Sequence, residues 1–348
     1  MIKKGKPIRA HDEVVFFPSA GAWNPDTKRW NVRISGAVFD PQDVNIRKKL
    51  MVRLLRRVMK VPSEELRGDL FKKRIEPFTA NLLKGRRIQI RIGSKVFDFG
   101  KKSKRNGHFS EEVEFSQEEI DVLVEEGAVT NRVLSFQLIL PAGDERVING
   151  RVHLLPPIGN SVISDVDDTI KITSVGNRDE LLKNTFLREF RAIDGMSQVY
   201  KNWSDQGIDF HFVSASPWQL ITPLSRLLSS ESFPLGTFDL RVFRWRDQVI
   251  KRVVSNKWVG KSKVIRSMIQ RFPNRKYFLI GDSVERDPEL YAHLAEEFTD
   301  QICGIFIRQV PGFALSDNRI GRIRSQINQT EFTIYDQEAD LPDELSFE

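Results

Sequence analysis

Ser161-Val162-Ile163-Ser164-Asp165-Val166-Asp167-Asp168-Thr169 decides how this chain folds. An apolar run that leads straight into carboxylates reads as a buried parallel strand ending at a site. In open α/β sheets, ligands bind just beyond the carboxyl ends of the strands. Side chains alternate along an extended segment, so Asp165 and Asp167 point roughly the same way and Val166 the other way. Two carboxylates on one side can share a hard cation. Equally, one can attack phosphorus while the other handles a proton. A short acidic surface loop explains Asp165–Thr169 just as well until the rest of the chain is considered.

Beyond this stretch the chain settles into a strand–helix rhythm. Strands are expected over 161–165, 209–214, 239–244, 276–281 and 302–307. Helices are expected over 179–190, 196–206, 217–229, 260–271 and 288–297. The alternation implies a parallel sheet with right-handed crossovers, an α/β fold. Pro156-Pro157-Ile158-Gly159 is the natural boundary before it. Upstream, Val14–Phe17, Asn31–Phe39, Arg87–Ile92, Glu112–Phe115, Leu134–Leu140 and Val147–Leu155 read as short strands separated by turns. They suggest a smaller β-rich, β-sandwich-like domain. Over 44–60 the period becomes helical, with Lys48, Lys49, Arg53, Arg56, Arg57 and Lys60 between the apolar positions. Such a helix can lie on an anionic membrane, but its stripe more often packs on its own domain. The expected division is 1–155, basic and β-rich with one amphipathic helix, then 156–310, the α/β domain, then 311–348, a polar, acidic, exposed tail.

The chain has 348 residues, 40% of them apolar and 29% charged, which suits two soluble domains. No apolar run is long enough to span a bilayer. The basic start, Met1–Pro7, has no apolar core after it, so no signal peptide is expected. The single cysteine, Cys303, cannot form an internal disulfide or a thiolate metal site, which suits a reducing, cytoplasmic setting. Net charge is +7, unevenly placed. Residues 1–109 hold 27 basic and 10 acidic residues, a net +17. That field favours an anionic partner: nucleic acid, a membrane surface or a phosphorylated substrate. Nucleic acid is the weakest of these, because the basic region lacks the aromatic-plus-basic pattern of known readers.

Three further segments carry chemistry. Phe210-His211-Phe212-Val213 leads into Ser214-Ala215-Ser216-Pro217, where a hydroxyl and free N–H groups at a helix start can hold phosphate oxygens. Ser214 or Ser216 can also be a plain N-cap. Tyr277-Phe278-Leu279-Ile280-Gly281-Asp282 is a second apolar strand ending in carboxylates. Asp282 and Asp287 can complete an oxygen cage for magnesium, although Asp287 before Pro288 also fits an N-cap. Lys257, Lys261 and Lys263 each qualify as the cation that a transferring phosphoryl group needs, or as a solvated helix start.

The conjunction resembles the haloacid dehalogenase-like phosphohydrolases, with Asp165-Val166-Asp167-Asp168-Thr169, then Ser214, then a lysine, then Gly281-Asp282 through Asp287. More closely, Ile163–Lys171, Val213–Leu220 and Ile280–Ser283 are similar to the actin-patch type of phosphatidate phosphatase catalytic domain, over roughly 145–310. Asn184–Leu187, Phe233–Gly236 and Asp287–Tyr291 extend the likeness. Val284-Glu285 departs from a usual Gly-Glu pair, and Ala215 from a usual Asn. Neither removes a charged group.

The resemblance implies a parallel sheet with helices on both faces and an Mg²⁺-dependent phosphatidate phosphatase. It implies Asp165 as nucleophile and Asp167 as acid and base. It also implies Mg²⁺ on Asp165, the Asp167 carbonyl, Asp282 and Asp287, and phosphoryl oxygens on Ser214, the Ala215 N–H and Lys261. Lys261 precedes Ile265 by four residues, as the family's lysine does; Lys257 is the second choice. Trp218, Trp245 and Trp258 are candidates for a lipid-facing rim, or packing residues. The alternatives are a phosphatase for soluble phosphomonoesters and a non-catalytic phosphatidate-binding module.

Overall fold

Six strands run parallel in the half of the chain that carries Asp165. They are β1 (Ile158–Ser164), β2 (Asp209–Pro217), β3 (Gly236–Arg241), β4 (Asn274–Asp282), β5 (Ile302–Arg308) and β6 (Glu331–Tyr335), in the order β3-β2-β1-β4-β5-β6. The structure is a computed structural model and describes residues 5–41, 46–242, 257–327 and 330–347; the side chains of 46, 47 and 257–259 lie outside that description. The chain steps from β1 outward to β2 and β3, then crosses back to start β4 on the other side of β1. The order therefore reverses between β1 and β4, which opens a crevice beyond their carboxyl ends. Ser164 stands opposite Ile280 on β4 and opposite Phe212 on β2, so the residues after β1 emerge between the ends of both neighbours.

Alternation along each strand sends successive residues to opposite faces, and both are buried. After β1 come the helices α1 (Arg178–Phe186), α2 (Met196–Asp205), α3 (Ile221–Ser230), α4 (Lys257–Arg271), α5 (Asp287–Glu297) and α6 (Asp317–Gln326). On one face Ile163, Val213, Leu279, Ile305 and Ile307 meet Ile265 and Ile269 of α4, Leu290 and Leu294 of α5, and Ile323 of α6. The other face is aromatic. Phe278 stacks on Phe306 at 5.1 Å, and Phe306 on Trp203 of the helix Met196–Asp205 at 6.1 Å. Tyr200 of the same helix lies 5.0 Å from Phe210. Helices on both faces of a parallel sheet are thus observed, close to the expected boundaries.

Met1–Lys49 and Ile75–Pro156 form one compact unit; Leu50–Arg74 and Pro157–Glu348 form the other. The first is built on one ten-stranded, mostly antiparallel sheet. Its alternating stretch buries Ile88, Ile90 and Ile92 and leaves Arg91 exposed. The helix Gln117–Glu125, which the sequence reading does not include, starts at a capping box made by Ser116 and Glu119.

Two expectations change. The amphipathic helix forms, over Ile46–Met59, but from Leu50 onward it belongs with the parallel-sheet unit. Met51, Leu55 and Met59, at i, i+4 and i+8, are buried, so its apolar stripe is a packing face. Residues 311–348 are not an exposed tail. They supply α6 and β6, the Trp203 indole donates to Pro342 O at 2.9 Å, and Phe347 lies edge-on to Phe278 at 5.0 Å. Enough apolar positions recur between the charges (Leu315, Ile323, Ile327, Tyr335 and Leu341 are all buried) to tie this acidic segment down. Among the described residues, no helix is long and apolar enough to cross a membrane.

Replacing Tyr335 by Ala separates the two views of this segment. In β6 it should cost about 3–5 kcal/mol in urea-induced unfolding; in an exposed tail it would cost nothing measurable.

Candidate active site

Asp165 is the first residue past β1. Its N–H donates to Ile280 O at 2.8 Å, so the chain is still registered on β4 when the carboxylate appears. Val166 and Ile170 are buried around it, and the side chain is almost wholly enclosed. Asp168 then turns the chain back. Its φ of +56° is left-handed, a conformation Asp tolerates better than most residues. Its carboxylate accepts N–H bonds from Thr173 (2.8 Å), Ser174 (2.8 Å) and Val175 (2.6 Å), which locks the loop. Arg308, at the end of β5, donates to Asp168 O at 3.0 Å.

The loop divides its two leading carboxylates. Asp165 faces the β4 side, where Lys261 Nζ lies 2.9 Å from its Oδ1. Lys261 also holds both oxygens of Asp287, at 2.7 and 2.6 Å. One oxygen from each of Asp165, Asp282 and Asp287 lies within 4.8 Å of the others. Asp167 faces the β2 side. Its Oδ2 accepts from Ser214 at 2.8 Å and Ser216 at 2.7 Å, and its Oδ1 from Thr173 at 2.9 Å and Lys171 Nζ at 2.8 Å. Alternation left open a cation shared by the Asp165 and Asp167 side chains or separate roles for the two; in the structure the side chains part, and that of Asp167 lies outside the carboxylate cluster.

Gly281 makes the cluster possible. A Cβ there would lie 2.4 Å from Asp287 Oδ2, so only glycine lets the start of α5 approach the end of β4. Behind the acidic loop, Arg319 of α6 donates to Ser283 O (3.0 Å), Glu285 O (2.9 Å) and the Glu289 carboxylate (2.6 and 2.8 Å).

The electrostatics follow from burial. Desolvation pushes Asp165 well above the usual carboxylate range; Lys261 opposes this, while Asp287, Glu285 and Asp282 add to it. Asp282 is pushed up to about 8, first by burial, then by repulsion from Asp287 and Glu285. Burial works against the charge on Lys261, but Asp165 and Asp287 hold its pKa well above the usual lysine value. Asp167 shows the opposite balance. Burial would raise it, but the charge of Lys171 and hydrogen bonds from Lys171, Ser216 and Ser214 hold it well below the ordinary range.

The donor set fits a hard divalent cation. All three cluster side chains offer oxygen, which suits Mg²⁺ rather than a thiolate- or imidazole-seeking metal. Asp282 Oδ1 accepts from Val284 N (2.7 Å) and Glu285 N (3.1 Å), whereas its buried Oδ2 has no hydrogen-bond partner among the described residues. A carboxylate oxygen in that state is costly unless a cation or proton satisfies it.

Of the acidic, basic and hydroxyl site residues named from the sequence, all but Lys257 have a described side chain. Asp165, Asp282, Asp287 and Lys261 converge, and Ser214 meets Asp167. Ala215 lies half-buried between the two serines near the end of β2. Lys263 is exposed, which leaves Lys261 as the buried choice; the side chain of Lys257 lies outside the described residues. Trp218 is buried and so is no rim; Trp245 and the side chain of Trp258 lie outside the described residues. Lys171, Thr173 and Arg319 were not singled out, and Ser216 only as a candidate N-cap. Ser216 was readable, because it sits two residues from Ser214 on one side of an extended segment. Lys171 and Arg319 carried no comparable signal.

Residues 160–309 match the family model described as phosphatidate phosphatase APP1, catalytic domain. Phosphatidate phosphatase APP1 of Saccharomyces cerevisiae is 35% identical over 160 residues, 45% of this chain and 27% of that protein. An uncharacterized protein of Schizosaccharomyces pombe is 30% identical over 200 residues, 55% of this chain and 33% of its own. The chain thus spans no more than about a third of these relatives' length. A solved PilB minor pilin mutant from Streptococcus sanguinis aligns over 85% of this chain and 93% of its own, at 9% identity and a TM-score of 0.25, too low to carry an argument.

Two outcomes follow from the charges. A carboxyl whose folded pKa is raised gives stability that is present at low pH and lost as pH rises through the folded value. The metal-free protein should therefore lose thermal stability between about pH 4 and pH 8, the interval between the ordinary and the folded value of Asp282. Asp282→Asn should flatten that loss, and the apparent affinity for Mg²⁺ should rise over the same interval as protons leave the site. Separately, Lys171→Met strands the buried Asp167 carboxylate. It should cost about 3–5 kcal/mol in denaturant unfolding, with Lys171→Arg recovering part of the loss.

Proposed function

From the premise that residues 160–309 belong to the phosphatidate phosphatase APP1 catalytic-domain family, we propose that this chain is a peripheral, cytoplasmic, Mg²⁺-dependent phosphatidate phosphatase, which hydrolyses phosphatidate to diacylglycerol and phosphate. The observation that carries the proposal is the meeting of Asp165, Asp282 and Asp287 around Lys261 at the sheet's reversal point. A bare acidic loop has no reason to bury three carboxylates together, and a phosphate-transfer site does.

In this reading Asp165 Oδ attacks phosphorus, and the phosphorus–oxygen bond to diacylglycerol breaks. The departing alkoxide takes a proton from Asp167, because an unassisted alkoxide is a poor leaving group. Water then gives a proton to Asp167 and attacks the aspartyl-phosphate, which releases phosphate and restores Asp165. As it stands, Asp167 is ionised, the form that accepts the water proton. Arrival of a phosphate dianion beside it disfavours that charge and raises its pKa toward what proton donation needs. Ser214 and Ser216 keep its carboxylate pointed at the β2 side, and Lys261 offsets charge on the phosphoryl oxygens. The Ala215 N–H and Ser214 are the other phosphoryl contacts. Asp165, the Asp167 carbonyl, Asp282 and Asp287 would hold Mg²⁺. The bound ion would supply positive charge that lets the buried carboxyls ionise and offsets charge on the phosphate.

Asp165→Asn should abolish Mg²⁺-dependent phosphate release from dispersed phosphatidate while the circular dichroism spectrum stays native. Release that persists in this variant would remove the nucleophile assignment. A wild-type protein that prefers water-soluble phosphate esters over phosphatidate would move the substrate away from lipid.

A further inference from the structure

The catalytic body of this protein is poorly charged for work at an anionic surface. Residues 157–348 hold 24 basic and 27 acidic residues, a net −3. Leu50–Arg74, which belongs to the same compact unit, holds eight basic and three acidic residues, a net +5. The unit's excess of positive charge therefore comes from one inserted segment.

The insert is anchored firmly and by its apolar side. Met51, Leu55, Met59, Leu66 and Phe71 are buried. The Phe71 ring lies 6.4 Å from Phe186, and Arg74 reaches Thr185 O at 3.3 Å, Glu189 at 3.1 Å and the Phe190 ring at 3.8 Å. Those residues follow directly from the loop that Asp168 pins, to which Asn184 donates through Thr173 O at 3.0 Å. The opposite side of the first helix carries Leu50, Arg53 and Arg57, at i, i+3 and i+7, and Lys60 follows its last turn with a left-handed φ of +54°; all four are exposed. Arg53, Arg57 and Lys60 have no carboxylate partner among the described residues. Among the described residues Arg56 donates to Ser63 Oγ, at 2.8 Å, and to no carboxylate.

We propose that the face formed by Leu50, Arg53, Arg57 and Lys60 docks the catalytic unit on an anionic lipid bilayer. The proposal rests on the phosphatidate phosphatase reading for its choice of a bilayer as the anion. Because the apolar stripe is already used in packing, the helix cannot sink into the acyl region as a free amphipathic helix does. Attachment is Coulombic, with Leu50 as the lone apolar contact. It therefore depends on the fraction of anionic lipid and weakens steeply with ionic strength.

The test uses the full chain and vesicles of phosphatidylcholine alone or mixed with phosphatidylserine, an anionic lipid that is not the proposed substrate. The wild-type chain should float with the mixed vesicles and not with phosphatidylcholine, and should detach as salt is raised. Each exposed cation near such a surface contributes about a fivefold factor in partitioning, so Arg53→Gln with Arg57→Gln and Lys60→Gln should lower it about 100-fold. The same triple variant should raise KM on phosphatidate vesicles with kcat unchanged, and should turn over a soluble aryl phosphate as wild type does, which reports an intact fold. Arg53→Lys with Arg57→Lys, which keeps the charge, should float like wild type. A triple variant that still floats like wild type overturns the proposal, as does wild-type binding to phosphatidylcholine alone, or capture by nucleic acid without capture by vesicles. Flotation requires no turnover. A chain that floats as described yet never hydrolyses phosphatidate would remove the enzymatic reading and leave the docking face standing.

Discussion

Three carboxylates packed together away from water are the constraint on which the rest of this structure depends. Left alone, Asp165, Asp282 and Asp287 would repel one another in a setting that screens little. One lysine, Lys261, lies against two of them and supplies the only buried positive charge in contact with the cluster among the described side chains. The imbalance persists even so, and among the described residues Asp282 keeps one oxygen without a partner. A folded chain bears such a cost where chemistry requires it, and a divalent cation is the species that would relieve it.

The fold exists to hold that arrangement. Sheet order places β1 between β2 and β4, so one acidic loop can address two different neighbours. Asp165 turns to the lysine and carboxylates at the β4 side, and Asp167 to the serines at the β2 side. Those settings push the two carboxylates in opposite pKa directions: burial raises Asp165, while Lys171 and the two serines hold Asp167 low. Support comes from far along the sequence. Arg308 pins the Asp168 carbonyl, Gly281 admits α5, and Arg319 braces the acidic loop from a helix beyond residue 310.

Much of this was legible in the sequence, for a physical reason. Strands buried on both faces read as unbroken apolar runs, and a run that stops at carboxylates marks both a strand and its functional end. Ile163, Phe278 and Phe306 therefore announced the sheet, and Asp165, Asp282 and Asp287 announced the cluster. The choice of Lys261 among three lysines came from the family resemblance; in the structure it is buried, as is Ile265 one turn further along α4. What escaped was whatever depended on the third dimension. Alternation along a strand could not reveal that Asp167 would turn toward Lys171 and Ser216. Composition favoured a tail after residue 310, because the charged residues there outnumber the few apolar ones that tie α6 and β6 down. The basic helix looked like part of the N-terminal domain because sequence position was the only guide, yet from Leu50 onward it groups with the other unit, where Arg74 contacts Thr185, Glu189 and Phe190.

The account turns on Asp165 acting as the group that takes the phosphoryl transiently. Acid-quenching the wild-type enzyme during turnover of phosphatidate labelled in its phosphate, followed by peptide mapping, tests this directly. The label should be found on the peptide containing Asp165 and should be absent when Mg²⁺ is chelated. Sustained phosphate release with no covalent label on that peptide, or with the label on another residue, would contradict it.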